Sequence, residues 1–135
     1  MRFMMIVKAS EQSEAGMLPD AEMLSQMGKF NEELEKAGML IDLSGLHPSS
    51  KGSRVKFSGG KSTVTDGPFA ETKELIAGYW LIRANSKQEA IEWARRAPMQ
   101  DAEIEIRQLF ELEDFPSVPQ EVTAMRDRMQ AAQTR

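Results

Sequence analysis

Two short segments of the chain are apolar on both of their alternating faces, and they are the strongest pattern in the sequence. Residues 3 to 7 read Phe-Met-Met-Ile-Val, and residues 77 to 84 read Ala-Gly-Tyr-Trp-Leu-Ile-Arg-Ala. A strand with two apolar faces is typical of a sheet that is covered on both sides. In the second segment we expect one face to carry Tyr79, Leu81 and Arg83, and the other Trp80, Ile82 and Ala84.

Two stretches have the three- and four-residue spacing of amphipathic helices. The first spans residues 20 to 37, begins beside Pro19 and ends at Gly38. Its predicted buried stripe consists of Met23, Leu24, Met27, Phe30, Leu34 and Ala37. The second begins with the S-x-x-E capping box of Ser86 and Glu89 and ends at Pro98. Its predicted stripe consists of Ala90, Ile91, Ala94 and Ala97.

The remaining patterns indicate further strands and a terminal helix. Residues 39–46 and 102–112 alternate as strands do. Residues 54–57 and 62–66 are short alternating runs on either side of Ser-Gly-Gly-Lys, which indicates a β-hairpin. Residues 113–119 contain two prolines and break the pattern, and residues 120–132 predict a short helix with Val122, Met125 and Met129 on one side.

The order of these elements predicts an α+β fold. Without the hairpin, it is the β-α-β-β-α-β order of a ferredoxin-like unit. We therefore expect one domain over residues 1–112 and a C-terminal extension over 113–135. Two helices cover only one face of a four-stranded sheet, so we expect a second copy to cover the other. The prediction is a homodimer in the form of a dimeric α/β barrel. In the alternative, the tail folds under the sheet of a monomer.

Composition removes several classes of function. The chain has 135 residues, a net charge of -4 and scattered Lys and Arg, so the basic surface of a nucleic-acid-binding protein is absent. It has no cysteine and one histidine, which excludes thiolate sites and a multi-histidine metal site within one chain. No cofactor is required. The apolar N-terminal run is too short for a signal peptide or a membrane span, which predicts a cytoplasmic protein.

The segment Asp-Gly-Pro-Phe at residues 66–69 departs from the strand and helix patterns. Asp66, Gly67 and Pro68 have the chemistry of a tight turn, because Asp bonds nearby amides and Pro restricts the backbone. A second interpretation is that the rigid corner holds the Asp66 carboxylate in a cleft as a general acid or base. The two interpretations are compatible.

Other candidate site residues surround this corner. His47 is a proton shuttle if it meets Asp66, and an exposed loop residue otherwise. Arg54 and Arg83 are candidates for binding an anionic group, and we expect Arg83 to be partly buried and paired with an anion. Tyr79 either fills the core or places its hydroxyl in the cleft.

The residues after the corner also have two interpretations each. In one interpretation Phe69 fills space in the core or in the dimer interface. In the other it lines the wall of a pocket. Glu71, Lys73 and Glu74 form a solvated charge run, unless Glu71 or Lys73 binds a polar ligand or the partner subunit.

The stretch Val-Thr-Asp-Gly-Pro-Phe-Ala-Glu-Thr-Lys-Glu-Leu-Ile-Ala-Gly-Tyr-Trp-Leu-Ile (64–82) resembles the signature of the DGPF family, also called DGPFAETKE, within the YCII-related group. The hairpin before it and the Glu-Ala-Ile-Glu-Trp-Ala-Arg-Arg-Ala-Pro helix are similar too, so the resemblance runs from about Met1 to about Leu112. It implies a ferredoxin-like dimeric barrel of largely unassigned activity. It also implies a setting near sigma factors of the extracytoplasmic-function class.

The resemblance carries one site residue over to this chain. A YCII-type relative is suggested to use a histidine and aspartate pair, with the histidine near the first helix. This chain has no histidine there, so Asp66 alone carries over.

These observations predict a small-molecule-binding protein and leave open whether it is an enzyme. As an enzyme, it would use Asp66 for proton transfer, with His47 or Tyr79 assisting. The alternative is a non-catalytic ligand sensor or protein-interaction module with a protein partner in a sigma-factor circuit.

Overall fold

The computed structural model describes residues 1–133. Its six strands are β1 (Arg2–Lys8), β2 (Leu40–Gly45), β3 (Ser53–Ser58), β4 (Lys61–Asp66), β5 (Ile76–Arg83) and β6 (Ile104–Gln108). Its four helices are α1 (Glu11–Glu14), α2 (Ala21–Lys36), α3 (Lys87–Ala94) and α4 (Gln120–Gln133). Short 3-10 turns occur at Ser49–Lys51, Thr72–Glu74 and Leu112–Asp114. No helix in this part of the chain is long and apolar enough to cross a bilayer.

The main sheet has four antiparallel strands in the order β2-β5-β1-β6, and β3 and β4 form a separate hairpin. This mixed α+β arrangement is consistent with a ferredoxin-like fold. The sheet of the single chain is open and does not close into a barrel, so the dimeric barrel stays a prediction.

The core lies between one face of the sheet and the helices. Alternate residues of β1 and β5 point into it, as their spacing predicts. The buried apolar residues are Phe3, Met5, Phe30, Leu34, Met39, Trp80, Ile82, Ala84 and Ala90. The Phe30 and Trp80 rings meet edge to face with centroids 5.3 Å apart. The Trp80 indole nitrogen donates to the Asn31 side-chain oxygen at 2.7 Å, so its buried donor is satisfied.

The opposite face of the sheet has an apolar centre that the chain covers only partly. Met4, Ile6, Tyr79 and Leu81 are half-buried there. The predicted apolar stripe of α4, at Val122, Met125 and Met129, is exposed. The tail therefore does not bury this stripe under the sheet. We call this surface the open face.

Helix α2 confirms the first helical pattern, with two corrections to its stripe. Asp20 is the N-cap, and its carboxylate accepts from the Met23 amide at 2.8 Å. Leu24 is 58% exposed. Because each residue turns the helix by about 100°, Leu24 lies about 120° around the axis from Phe30 and faces away from the sheet. Ala37 is exposed because the helix has already ended.

Helix α3 and strand β6 are shorter than predicted. Ser86 caps α3 as expected, but the Glu89 carboxylate reaches the Asn85 amide, so the capping box is half formed. The helix ends at Ala94, before Pro98. Strand β6 is limited to the residues that lie opposite Phe3 to Val7 of β1, because a strand needs a partner for its backbone bonds.

The hairpin is confirmed, and its two strands are exposed throughout. Gly59 and Gly60 have φ of +58° and +77°, which is the backbone of a two-residue type I′ turn and the reason why both positions are glycine.

Candidate functional site

The Asp-Gly-Pro corner follows β4 and packs against the 3-10 turn at Ser49–Lys51. The Gly67 amide donates to the Gly52 carbonyl at 2.9 Å, and the Gly67–Pro68 peptide bond is cis. A Cβ atom built on Gly67 would overlap the carbonyl oxygen of Ser49. Glycine is therefore required at this position by the close approach of two backbones.

Ser49 joins the corner to helix α1. Its hydroxyl accepts from the Phe69 amide at 3.1 Å and donates to the Glu14 carboxylate. Its backbone amide also donates to that carboxylate, at 2.9 Å. The hydroxyl bond, followed by the amide bond, holds the pKa of Glu14 below its ordinary value. Ser49 thus links the backbone at Phe69 to the Ser49–Lys51 turn and to helix α1.

The Phe69 ring in turn supports Arg54. The Arg54 guanidinium carbon lies 3.7 Å from the ring centroid, in a cation–π contact. Within residues 1–133, Arg54 forms no salt bridge with a carboxylate. The nitrogen donors of the guanidinium are therefore held in place on the surface and free of an internal anion.

Asp66 lies one ladder position from this cation but on the opposite face of the hairpin, because register partners share a face and successive residues alternate. Ser53 and Asp66 are register partners in the hairpin, and Arg54 follows Ser53. The Ser53 hydroxyl donates to one oxygen of the exposed Asp66 carboxylate at 2.7 Å. The carboxylate thus bonds to a side chain of the neighbouring strand, and its second oxygen is available to a ligand.

The structure does not join His47 to Asp66. His47 is exposed in the link after β2. Its imidazole forms no hydrogen bond or ion pair with Asp66, whose bond goes to Ser53. The histidine and aspartate pair is therefore not formed in the single chain.

Tyr79 and Arg83 lie on the open face, away from the corner. The Tyr79 hydroxyl donates to the Asp42 carboxylate at 2.9 Å across the β2–β5 ladder. Arg83 is exposed and forms no ion pair with the described residues. The expected partial burial of Arg83 is wrong, because its position at the end of β5 leaves it in solvent.

Glu71 and Lys73 are exposed in and beside the Thr72–Glu74 turn. Neither forms a side-chain hydrogen bond or ion pair within residues 1–133. In the single chain, the side chains of Glu71 and Lys73 are therefore solvated charges.

Sequence patterns missed Glu14, Ser49 and Ser53. Glu14 lies in a helix of four residues, which is too short for a periodic signal. Ser49 falls in a stretch with the composition of a loop. A signal for Ser53 was present, since a hairpin around Gly59 and Gly60 places it opposite Asp66.

Two grooves on the surface of the single chain lie away from the corner. One runs between α3 and β6, past Ile91 and Ile104. Another lies beside the start of α2, between Met23 and Met99. Neither groove includes Asp66. Among the described residues, no three His, Asp or Glu side chains lie close enough together to hold a metal ion.

Comparisons with known proteins match most of the chain to one family. A family model described as the YCII-related domain matches residues 1–113. An uncharacterized protein of Rhizobium meliloti is 34% identical over 76 residues, which are 56% of this chain and 61% of that protein. The chain thus matches about three fifths of the length of that relative.

Proposed function

This chain belongs to the YCII-related family, and from the side chains at its Asp-Gly-Pro corner we propose that it binds a small anionic molecule there. Arg54 would bind the anionic group, and Phe69 would support Arg54 and pack against the ligand. The observation that carries the proposal is the placement of Arg54, 3.7 Å above the Phe69 ring and without a salt bridge in residues 1–133.

The first argument is preorganisation. A free arginine loses side-chain entropy when it binds an anion, and this opposes binding. Here the ring of Phe69 holds the guanidinium plane, and Ser49 holds the Phe69 backbone at 3.1 Å. The planar guanidinium presents paired donors that suit a carboxylate or phosphate.

The second argument is that Arg54 has no counter-charge within the hairpin. Asp66 and Arg54 lie on neighbouring positions of the hairpin but on its opposite faces, and they form no ion pair with each other. Arg54 therefore remains available to the anionic group of a ligand. If the protein is an enzyme, Asp66 is the group for proton transfer, because it is positioned and one of its oxygens is free of Ser53.

A thermal-shift comparison of matched variants tests this proposal. The probes are inorganic phosphate, succinate and benzoate. Lys56 is the control for Arg54, because it has the same charge on the same face of the same exposed strand. We expect at least one probe to raise the Tm of the wild type and of Lys56→Gln in a saturable manner, since a ligand of the native state stabilises it. In Arg54→Gln that shift should be lost. Equal shifts in all three proteins, or none with any probe, would contradict the proposal.

We also propose that the protein is a homodimer whose open faces meet. Met4, Ile6, Tyr79 and Leu81 give this face an apolar centre that is only half-buried in the single chain. At its margin the Lys8 ammonium lies 3.8 Å from a Glu105 carboxylate oxygen. An apolar centre with a charged rim is the usual layout of a protein interface. Light scattering should give twice the chain mass of 15.2 kDa, and a stable monomer at micromolar concentration would refute the dimer.

A further inference from the structure

The hairpin of β3 and β4 has two faces of different chemistry, because register partners share a face and successive residues alternate. One face holds the only carboxylate of residues 53–66 and consists of Ser53, Val55, Phe57, Ser62, Val64 and Asp66. The other face holds all the cations of the hairpin and consists of Arg54, Lys56, Ser58, Lys61, Thr63 and Thr65. We call it the basic face.

The cations of the basic face have no counter-ion within the described part of the chain. Arg54, Lys56 and Lys61 are exposed, and none of them forms a salt bridge within residues 1–133. The chain as a whole has a net charge of -4, so the hairpin concentrates positive charge on one side of an otherwise acidic protein. Such a local field attracts anions.

The spacing of these cations suits a ligand with several anionic groups in a row. Arg54 and Lys56 are two residues apart on β3, which places their Cα atoms roughly 7 Å apart along the strand. Lys61 belongs to the next pair of residues on the same face, at the tip of the hairpin. The register partners of Arg54 and Lys56 are Thr65 and Thr63, whose hydroxyls are further donors.

Arg54 is the fixed member of this series. The Phe69 ring holds its guanidinium carbon at 3.7 Å from the ring centroid. Glu14, the carboxylate that reaches the corner from α1, is bonded through both oxygens to Ser49 and forms no salt bridge with Arg54. A single exposed ion pair contributes little free energy. A ligand held by Arg54 has its further anionic groups at a high effective concentration next to Lys56, so several weak contacts add up on one molecule.

We propose that the basic face binds a linear chain of phosphate groups, with one phosphate on Arg54, a later one on Lys56, and Lys61 within reach of longer chains. The proposal rests on the anion site at Arg54 and names its ligand class. A phosphate group offers several acceptor oxygens, which suit the guanidinium fork, the ammonium groups and the threonine hydroxyls. The face has no aromatic side chain on which a base could stack, so it recognises the phosphates, whether they are free or attached to a nucleoside.

Isothermal titration calorimetry with phosphate, pyrophosphate and triphosphate, at one ionic strength and without divalent cations, tests the proposal. The proteins compared are wild type, Lys56→Gln and Lys29→Gln. Lys29 is the matched control, because it is an exposed lysine on α2 and its replacement changes the net charge by the same amount. We expect the affinity of wild type and of Lys29→Gln to rise with each added phosphate group.

In Lys56→Gln the gain with chain length should be reduced. We expect its affinity for triphosphate to fall by about two- to five-fold, the effect of one exposed ion pair. Its affinity for phosphate should stay unchanged, because a single anionic group reaches Arg54 alone. Lys56→Arg, which keeps the charge, should retain the affinity of the wild type for triphosphate.

Equal losses of triphosphate affinity in Lys56→Gln and Lys29→Gln would make the effect one of net charge and overturn the inference. So would citrate, a branched anion, if it bound as tightly as triphosphate with the same dependence on Lys56. Either result leaves the anion site standing as long as phosphate, succinate or benzoate still requires Arg54. If none of these probes binds, the proposed function and this inference fail together.

Adenosine triphosphate separates the two sources of a phosphate chain. A loss of its affinity in Lys56→Gln supports the proposal, and no loss contradicts it. With that loss, an affinity of the wild type equal to that for triphosphate assigns the ligand to the phosphate chain alone, and a higher affinity assigns it to a nucleotide.

Discussion

The carbonyl oxygen of Ser49 occupies the space that a side chain on residue 67 would need. Two segments that are 18 positions apart in the sequence are therefore in backbone contact at the corner. The shape of the corner depends on this contact, and so does the position of Phe69 under Arg54.

Gly67→Ala should destabilise the protein, because the new methyl group would overlap the backbone carbonyl of Ser49. The backbone can relieve this overlap only by shifting, which costs free energy. We expect the free energy of unfolding to fall by about 1–3 kcal/mol, the usual cost of overpacking, as measured by urea denaturation. Gly52→Ala is the matched control. At Gly52 a Cβ atom would lie 3.5 Å from the same Ser49 oxygen, an ordinary contact. Equal stability of the two variants would contradict the steric argument.

Glu14→Gln should weaken the attachment of the Ser49 turn in a pH-dependent manner. Because the pKa of Glu14 is lowered in the folded protein from its ordinary value of 4.5, the stabilisation by its carboxylate is present above that value. It is lost as the pH falls through the lower folded-state pKa. The variant should therefore be less stable than wild type at pH 7, and the two should converge at pH 3 in thermal melts.

Glu11→Gln, on the same short helix, is the control for this measurement, because its carboxylate makes no hydrogen bond to the Ser49 turn. A stability difference of Glu14→Gln that is the same at pH 7 and pH 3 would show that the negative charge plays no part.

Asp66→Asn should separate a structural role of Asp66 from a chemical one. The amide oxygen still accepts from the Ser53 hydroxyl, and the site is exposed. We therefore expect the free energy of unfolding to change by less than about 1 kcal/mol, whereas any turnover that depends on proton transfer is lost. A larger fall in the free energy of unfolding would instead show that the Asp66 carboxylate stabilises the fold. Ser53→Ala, which removes the same bond from the other side, calibrates the measurement.

Asn31→Ala should destabilise the core without removing an apolar group. The substitution leaves the Trp80 indole N–H without its acceptor in a residue that is 5% exposed. An unsatisfied buried donor costs about 1–3 kcal/mol, and Trp80 fluorescence during urea unfolding measures it. Glu32→Ala, at the next and exposed position of α2, should change stability much less. Because alanine has a higher helix propensity than Asn or Glu, propensity cannot account for a loss, and equal stability of the two variants would contradict the role of the hydrogen bond.

Sequence patterns predicted most of the fold, because the interactions they report are short in range. The alternation of Phe3 and Met5, or of Trp80 and Ile82, is a property of neighbouring residues, and so are the Ser86 cap and the Gly59–Gly60 turn. Errors arose where an element ends for reasons that lie elsewhere in the chain. Strand β6 stops at Gln108 because its ladder with β1 ends there.

Of the residues at the candidate site, the sequence predicted only the charged and aromatic ones. The sequence by itself determined that Asp66, Phe69 and Arg54 lie near a rigid turn, because the turn and the hairpin are local. Only the tertiary structure decided that Arg54 stacks on Phe69 and that Glu14 holds Ser49 across 35 positions of sequence. Such contacts depend on how segments that follow different strands meet. This follows from the packing of the whole domain, which no local pattern of residues records.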